Sequence, residues 1–157
     1  MKTVVRKTTL LIFVTSICSV LQAQTIRWAN GEEKVRQLSK TLYEPVPAGV
    51  ISYKIENNQF WRLWSGVPET DSPQAYVKYA DNEYFFYTGD GVLVGSYIPS
   101  QKRYYIPGKE EYAKSKEAHA VLHNRELVVN TGGDMPVRYT IDDDFDPVAA
   151  GFFLFFL

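Results

Sequence analysis

The residues whose types and spacing could support chemistry include two histidines near the middle of the C-terminal half. His119 and His123 are four positions apart, so on a helix both imidazoles would share one face and could hold a metal ion. On a strand they would stand about 13 Å apart, too far to share one ion. Ala120 also replaces the glutamate that follows the first histidine in a zinc-protease helix. We therefore predict two histidines that flank a turn, and no metal site.

Three aspartates at alternate positions have the spacing of a calcium-binding loop. Asp142, Asp144 and Asp146 match the first ligands of an EF-hand. Pro147 stands where that loop requires glycine, and Phe153 stands where it requires a bidentate glutamate. Helix capping and solubility explain the aspartates better than calcium does.

Catalysis by a nucleophile or by carboxylates has weaker support. The chain contains no Gly-x-Ser-x-Gly motif, and no pattern places a histidine beside Ser65 or Ser96. A small secreted hydrolase with carboxylates such as Glu83, Asp90 or Asp144 stays an alternative, because the sequence does not show their separation in the fold. We favour a protein that is not an enzyme, and we expect no cofactor.

The aromatic residues are stronger candidates for a functional role than the catalytic or metal-binding residues. The chain has three Trp, eleven Tyr and nine Phe among its 157 residues. On a strand, Trp61 projects opposite to Phe60 and Trp64, so the two tryptophans cannot both face the core. One is expected at a rim or groove, where it could stack on a sugar or a partner; an aromatic-rich core is the alternative. The candidate ligand-binding residues are Trp61, Trp64, Tyr84, Tyr97 and Tyr104.

The N-terminal residues have the layout of a secretory signal peptide. Lys2, Arg6 and Lys7 precede an uncharged apolar stretch over 10–21, and Ala23 is a small residue suited to cleavage. We predict a signal peptide over 1–23, a single β-rich domain over 24–157, and a secreted or periplasmic location. The apolar stretch is too short to span a bilayer comfortably, and we expect no transmembrane span in the mature chain.

Charge and cysteine content argue against several kinds of partner and covalent link. Cleavage would remove three of the 17 Lys and Arg residues and none of the 18 Asp and Glu, leaving a net charge near −4. That balance disfavours nucleic acid and anionic lipid as partners. The single cysteine, Cys18, lies within the predicted signal, so the mature domain has no disulfide. Lipid attachment at Cys18 is disfavoured because Ile17, rather than a small residue, precedes it.

The first part of the mature chain has the pattern of an amphipathic helix over 25–42. Asn30 and Glu33 have the spacing of a capping box, in which two side chains satisfy free backbone N–H groups. Apolar residues then recur at helical spacing. They are Val35, Leu38 and Leu42.

The middle of the chain has the pattern of short antiparallel strands. Asn57–Asn58 and Asp81–Asn82 are residue pairs that suit the tight turn of a two-residue hairpin. We predict a mainly β (α+β) fold, an antiparallel meander that forms a barrel or sandwich of about eight or nine strands. A further helix is predicted over 109–118. The predicted strands span 50–56, 59–65, 75–80, 83–88, 92–98, 103–106, 119–123, 126–130 and 135–141.

The last segment is the most apolar part of the chain. Asp146 followed by Pro147 is a strong helix start, and residues 148–157 carry no polar side chain. A helix that is apolar all round must be surrounded, so we predict a buried C-terminal helix, with a core strand as the alternative. Segments 84–87 and 92–94 are apolar on both faces, so we expect the N-terminal helix to cover the outside of these strands.

Two segments carry a resemblance to a known group of proteins. Residues 84–95 form an aromatic strand, a Gly-Asp-Gly turn and an apolar strand, and residues 139–157 form a strand, an acidic loop and the apolar segment. This arrangement resembles the tubby-like barrel superfamily, which includes the phospholipid scramblases. The resemblance implies a strand meander around a central C-terminal helix. The phosphoinositide-binding basic residues of that family have no evident counterpart here, and none is assigned.

Taken together, the sequence favours an exported, non-enzymatic binding domain of the cell envelope. We expect it to recognise a protein or an amphipathic ligand through its aromatic residues. The alternatives are the carboxylate-dependent hydrolase and a structural accessory subunit of an envelope complex.

Overall fold

The computed structural model describes residues 24–65, 72–107, 118–130 and 135–157. The predicted signal peptide, with Cys18, and residues 109–117 of the predicted internal helix lie outside these residues. The described residues contain twelve strands and one helix. They are β1 (Thr25–Trp28), β2 (Glu33–Gln37), β3 (Leu42–Pro45), β4 (Ile51–Glu56), β5 (Gln59–Trp64), β6 (Ala75–Ala80), β7 (Glu83–Thr88), β8 (Leu93–Ile98), β9 (Arg103–Tyr105), β10 (Ala120–His123), β11 (Glu126–Val129), β12 (Val137–Ile141) and α1 (Pro147–Phe156).

The strands form a closed antiparallel barrel. Each strand pairs with the next along the chain, and β1 pairs with β12, with Ile26 opposite Ile141 and Trp28 opposite Tyr139. Closure satisfies the backbone groups that an edge strand would leave unpaired. The mainly β class and the barrel are therefore confirmed, but the strand number of eight or nine is wrong. All nine predicted strands are present, with bounds that differ by at most two residues.

The predicted N-terminal helix is wrong, because residues 25–42 form β1, β2 and the start of β3. The reason lies at Asn30. Its side-chain oxygen accepts a hydrogen bond from the backbone N–H of Glu32 (3.0 Å), two residues on, and Gly31 has φ of +89°. This geometry makes a tight turn and not a helix cap. The helical spacing was a coincidence, since Val35 is buried in β2 whereas Leu38 lies in a turn and is 49% exposed.

The expected helical cover over the outer face of the aromatic strands is also wrong, since no helix precedes α1 among the described residues. Side chains of the sheet cover one another instead. The rings of Tyr76 on β6 and Tyr87 on β7 stack with centroids 5.1 Å apart, and the Lys78 ammonium lies 5.4 Å from each ring. The stem of a long cationic side chain can shield aromatic surface while its charge stays in water.

The two-residue hairpin turns are confirmed. Asn57 and Asn58 have φ of 51° and 62°, and Asp81 and Asn82 have φ of 52° and 62°. Asparagine and aspartate tolerate this left-handed conformation better than other residues with side chains. These turns fix the register of β4 with β5 and of β6 with β7.

The C-terminal helix lies inside the barrel, as predicted. Asp146 caps it, because its Oδ1 accepts from the backbone N–H of Val148 (2.8 Å), and Pro147 occupies the first turn. The helix begins at the end of the barrel where Ile141 completes β12, which we call the entry end. The all-apolar sequence is explained by burial inside the barrel.

The helix lies against one part of the barrel wall. Gly151 of α1 faces Phe86 of β7, and a Cβ at Gly151 would collide with that ring. A Cβ at Gly95 of β8 would likewise collide with the ring of Phe155. Two glycines thus let α1 approach β7 and β8 more closely than side chains would allow.

Asp142 links the first and last strands of the barrel, β1 and β12, at the entry end. Its Oδ2 accepts from the backbone N–H and the hydroxyl of Thr25 (2.8 and 2.9 Å), and its Oδ1 accepts from Arg27 (3.1 Å). Burial on its own would raise the pKa of Asp142, but the hydrogen bonds from Thr25 and Arg27 outweigh it and hold the pKa below its ordinary value.

We expect Asp142→Asn to lower the free energy of unfolding by about 2 kcal/mol at pH 7, the scale of hydrogen bonds to a charged group. A lowered folded-state pKa stabilises the protein above the unfolded-state pKa, and this stabilisation is lost as the pH falls through the folded-state pKa. The difference in free energy of unfolding between Asp142→Asn and wild type should therefore decrease as the pH falls below about 4. Urea unfolding at pH 7 and pH 3 measures it, with the exposed Asp143→Asn as the control. An equal loss at both pH values would contradict the prediction.

Candidate functional site

The structure separates the predicted ligand-binding aromatics into two groups. Tyr84, Tyr97 and Tyr104 line the barrel interior in one row, with ring centroids 6.3 Å apart in the first pair and 4.5 Å apart in the second. Tyr97 is 3% exposed and Tyr104 is fully buried, and the Tyr104 hydroxyl donates to the carbonyl of Pro147 (2.8 Å). Burial raises the pKa of both phenols. Tyr104 thus helps to position α1, and the role of the three tyrosines in ligand binding stays a prediction.

The two tryptophans lie on β5, on alternate faces. Phe60 is buried, so Trp61 faces outward, where the Lys54 ammonium lies 5.2 Å from its ring. Trp64 is the last residue of the strand and is 48% exposed. The structure therefore does not bring either tryptophan together with the interior tyrosines.

The two histidines lie far apart, and so do two of the carboxylates considered for catalysis. Glu83 begins β7 and Asp90 follows its end, roughly 20 Å away at strand spacing, so these two carboxylates do not form a pair. His119 precedes β10 and packs its ring against Phe155 (6.3 Å), whereas His123 is exposed at the other end of that strand. No group of three His, Cys, Asp or Glu residues that could hold a metal ion occurs in the described ranges.

A cavity of about 210 Å³ lies between α1 and the wall opposite β7 and β8. Its position follows from the off-centre helix, which approaches one wall through Gly95 and Gly151 and leaves space at the other. Ala150 of α1 lines this space. The lining residues are Ile26, Lys34, Val35, His119, Leu127, Val129, Tyr139, Ala150, Phe153, Leu154 and Leu157. We call it the helix-side cavity.

A bulge places one charged side chain in this apolar wall. Ile26 of β1 pairs with Val35, but Arg27 pairs with Glu33, so Lys34 is an extra residue without a partner in the register. Bulges redirect side chains, and here Lys34 lines the helix-side cavity together with its neighbour Val35.

The Lys34 ammonium is held by aromatic rings. It lies 4.8 Å from the ring centroid of Trp28 and 4.9 Å from that of Tyr139, and these two rings are themselves 4.9 Å apart. Burial lowers the pKa of Lys34. Within the described part of the chain, Lys34 has no ion pair, and no residue with a side-chain carboxylate lines the cavity. The site thus combines an apolar chamber with one partly desolvated cation and one imidazole, that of His119.

Sequence reasoning missed Lys34, Trp28 and Tyr139 because the helix prediction gave Lys34 a solvated position. A signal was present: Asn30-Gly31 is the strongest short hairpin motif, and it would have placed Trp28 and Lys34 on neighbouring strands. The bulge that turns Lys34 inward has no comparable signature.

Comparison of the chain with protein-family models, with curated proteins and with solved structures found no match. Among the described residues, no helix has both the length and the apolar character needed to cross a membrane.

Proposed function

We propose that this protein is an exported, non-enzymatic binding domain of the cell envelope, and that it takes up an amphipathic ligand in the helix-side cavity. The observation that carries the proposal is the cavity itself: about 210 Å³ of space with mostly apolar walls and a cation beside it. Small-molecule sites have this character, with predominantly apolar linings and a few polar groups that fix orientation. The predicted signal peptide supplies the export part of the proposal.

The size of the cavity limits the ligand. An apolar protein cavity of about 150 Å³ holds one benzene molecule, so 210 Å³ corresponds to about eight carbon atoms. This volume lies below the roughly 300–1,000 Å³ of drug-sized sites, so the ligand is either small or inserts only one end.

Filling the cavity should abolish uptake. Val129 is buried and lines the cavity, whereas Val128, its neighbour on β11, lies on the opposite face of the same strand. We expect Val129→Phe to weaken binding of 1-octanol and octanoate at least about 10-fold, because a phenyl group would occupy the space. Val128→Phe makes the same change outside the cavity and should leave both affinities within about twofold, since distant surface substitutions have small effects.

Isothermal titration calorimetry measures both affinities, and thermal unfolding shows that each variant is folded. The proposal fails if wild type binds neither compound or if Val129→Phe binds as well as wild type. Trp61→Ala tests the outer face of the barrel, because it removes the outward-facing ring near Lys54. Loss of ligand binding in that variant would indicate that the site lies on the outer face of the barrel and not in the cavity.

Recognition of a protein partner through Trp61 and Trp64 remains the second part of the sequence-based proposal. The exposure of Trp64 and the cation beside Trp61 support it. The hydrolase, the accessory subunit and the resemblance to the tubby-like barrel superfamily stay predictions.

A further inference from the structure

We propose that the ligand is a monocarboxylate with an apolar body of about eight carbons, and that its carboxylate binds the Lys34 ammonium while its body fills the helix-side cavity. This inference rests on the proposed function, since it names the chemical class that the same cavity would accept.

The first argument is the position of the charge. Lys34 and Tyr139 both line the cavity. The Lys34 ammonium lies 4.9 Å from the Tyr139 ring centroid and 4.8 Å from that of Trp28, which places the charge beside the cavity. Cation–π contacts orient an ammonium but leave N–H donors without acceptors. A carboxylate oxygen would accept these donors in a charge-assisted hydrogen bond.

The second argument is the balance of charge around the cavity. β1, β11, β12 and α1 contribute uncharged side chains to the lining, β2 contributes Lys34, and the segment before β10 contributes His119. The nearest acidic neighbour in sequence, Glu33, is engaged by Arg27 and Arg36. Among the described residues that line the cavity, no side-chain carboxylate competes for Lys34, so the site attracts an anion and repels a cation.

The third argument is the partial desolvation of the Lys34 ammonium in the absence of a ligand. Burial lowers its pKa, which means that the charged form is partly desolvated without a compensating negative charge. A bound carboxylate would supply that charge. One ammonium matches a single carboxylate, whereas a phosphate would require more donors than the lining provides.

The test compares three eight-carbon probes in calorimetry: octanoate, 1-octanol and octylamine. Wild type should bind octanoate at least about 10-fold more tightly than 1-octanol, and octylamine most weakly, since charge-assisted hydrogen bonds are the stronger ones. Lys34→Met keeps the length of the side chain but removes the charge. It should lower the octanoate affinity roughly 10- to 100-fold and leave the 1-octanol affinity within about twofold. Lys34→Arg keeps the charge and should retain a preference for octanoate.

The outcomes separate this inference from the proposed function. If 1-octanol and octanoate bind wild type equally, and Lys34→Met changes neither affinity, the carboxylate assignment is overturned but the cavity remains a binding site. If no probe binds, the proposed function fails as well. If Lys34→Met does not fold, the order of the three probes in wild type still decides: octylamine binding as tightly as octanoate would refute the assignment.

Discussion

Replacing Phe152 with alanine is expected to lower the free energy of unfolding by about 4 kcal/mol, near the upper end of core truncations. Phe152 is fully buried at the centre of α1. Its ring stacks on Phe60 of β5 (5.4 Å) and meets Phe86 of β7 edge-on (5.3 Å), so truncation removes aromatic contacts with two strands of the wall. A closed barrel cannot collapse around the vacated space, because its hydrogen-bonded strands fix its circumference.

Chemical denaturation with urea measures this loss, and Phe85→Ala provides the matched control. Phe85 lies on β7 next to Phe86 but faces outward and is only half-buried. We expect about 1 kcal/mol for that variant, near the average for point mutations. A similar loss in both variants would show that α1 is not the centre of the core.

Gly151→Val is expected to lower the free energy of unfolding by about 3 kcal/mol, because the added side chain overpacks the core. A Cβ at Gly151 would collide with the ring of Phe86, which is fully buried. Phe86 has little room to yield, since Phe152 and Phe155 pack against it at 5.3 and 5.2 Å. Helix propensity changes little between glycine and valine, so the steric term decides the sign.

The control for this substitution is Gly49→Val, where nothing lies within 4 Å of the added Cβ. That variant should stay within about 0.5 kcal/mol of wild type. If Gly151→Val were as stable as Gly49→Val, α1 would not lie close to β7, and the off-centre position that creates the helix-side cavity would be refuted. Thermal unfolding and urea titration of both proteins decide between these results.

Local signals made the middle of the fold predictable. Asparagine and aspartate pairs at 57–58 and 81–82 specify tight turns by their own backbone preferences, and the alternation of the flanking residues then fixes the strands. Asp146 and Pro147 define the start of α1 in the same local way. These features depend on a few adjacent residues, so no tertiary information is required to find them.

The N-terminal strands escaped prediction because two local patterns compete there. Val35 and Leu42 have helical spacing, and Asn30 has a cap-like position, but Asn30-Gly31 also specifies a hairpin turn. Pairing with β12 decides the outcome, since Ile26 and Trp28 lie opposite Ile141 and Tyr139. Such distant partners do not appear in any local window of the sequence.

The candidate site was even harder to predict from the sequence than the N-terminal strands. The aromatic residues drew attention to Tyr97 and Tyr104, which the structure buries in the core. The cavity depends on where α1 lies in the barrel, and this depends on glycines in two distant elements, Gly95 and Gly151. Lys34 reaches the cavity through a shift in register between β1 and β2. None of these relations is a property of a short segment.

The junction between Thr25 and Asp142 has a consequence for how the molecule assembles. These residues are separated by 117 positions along the chain, so the circle of strands can close only after nearly the whole domain is present. Folding rates decrease as contacts become more distant in sequence, and we expect slow folding with closure as a late event. Until that closure, β1 and β12 each keep one edge without a partner, and pairing between them removes both edges at once.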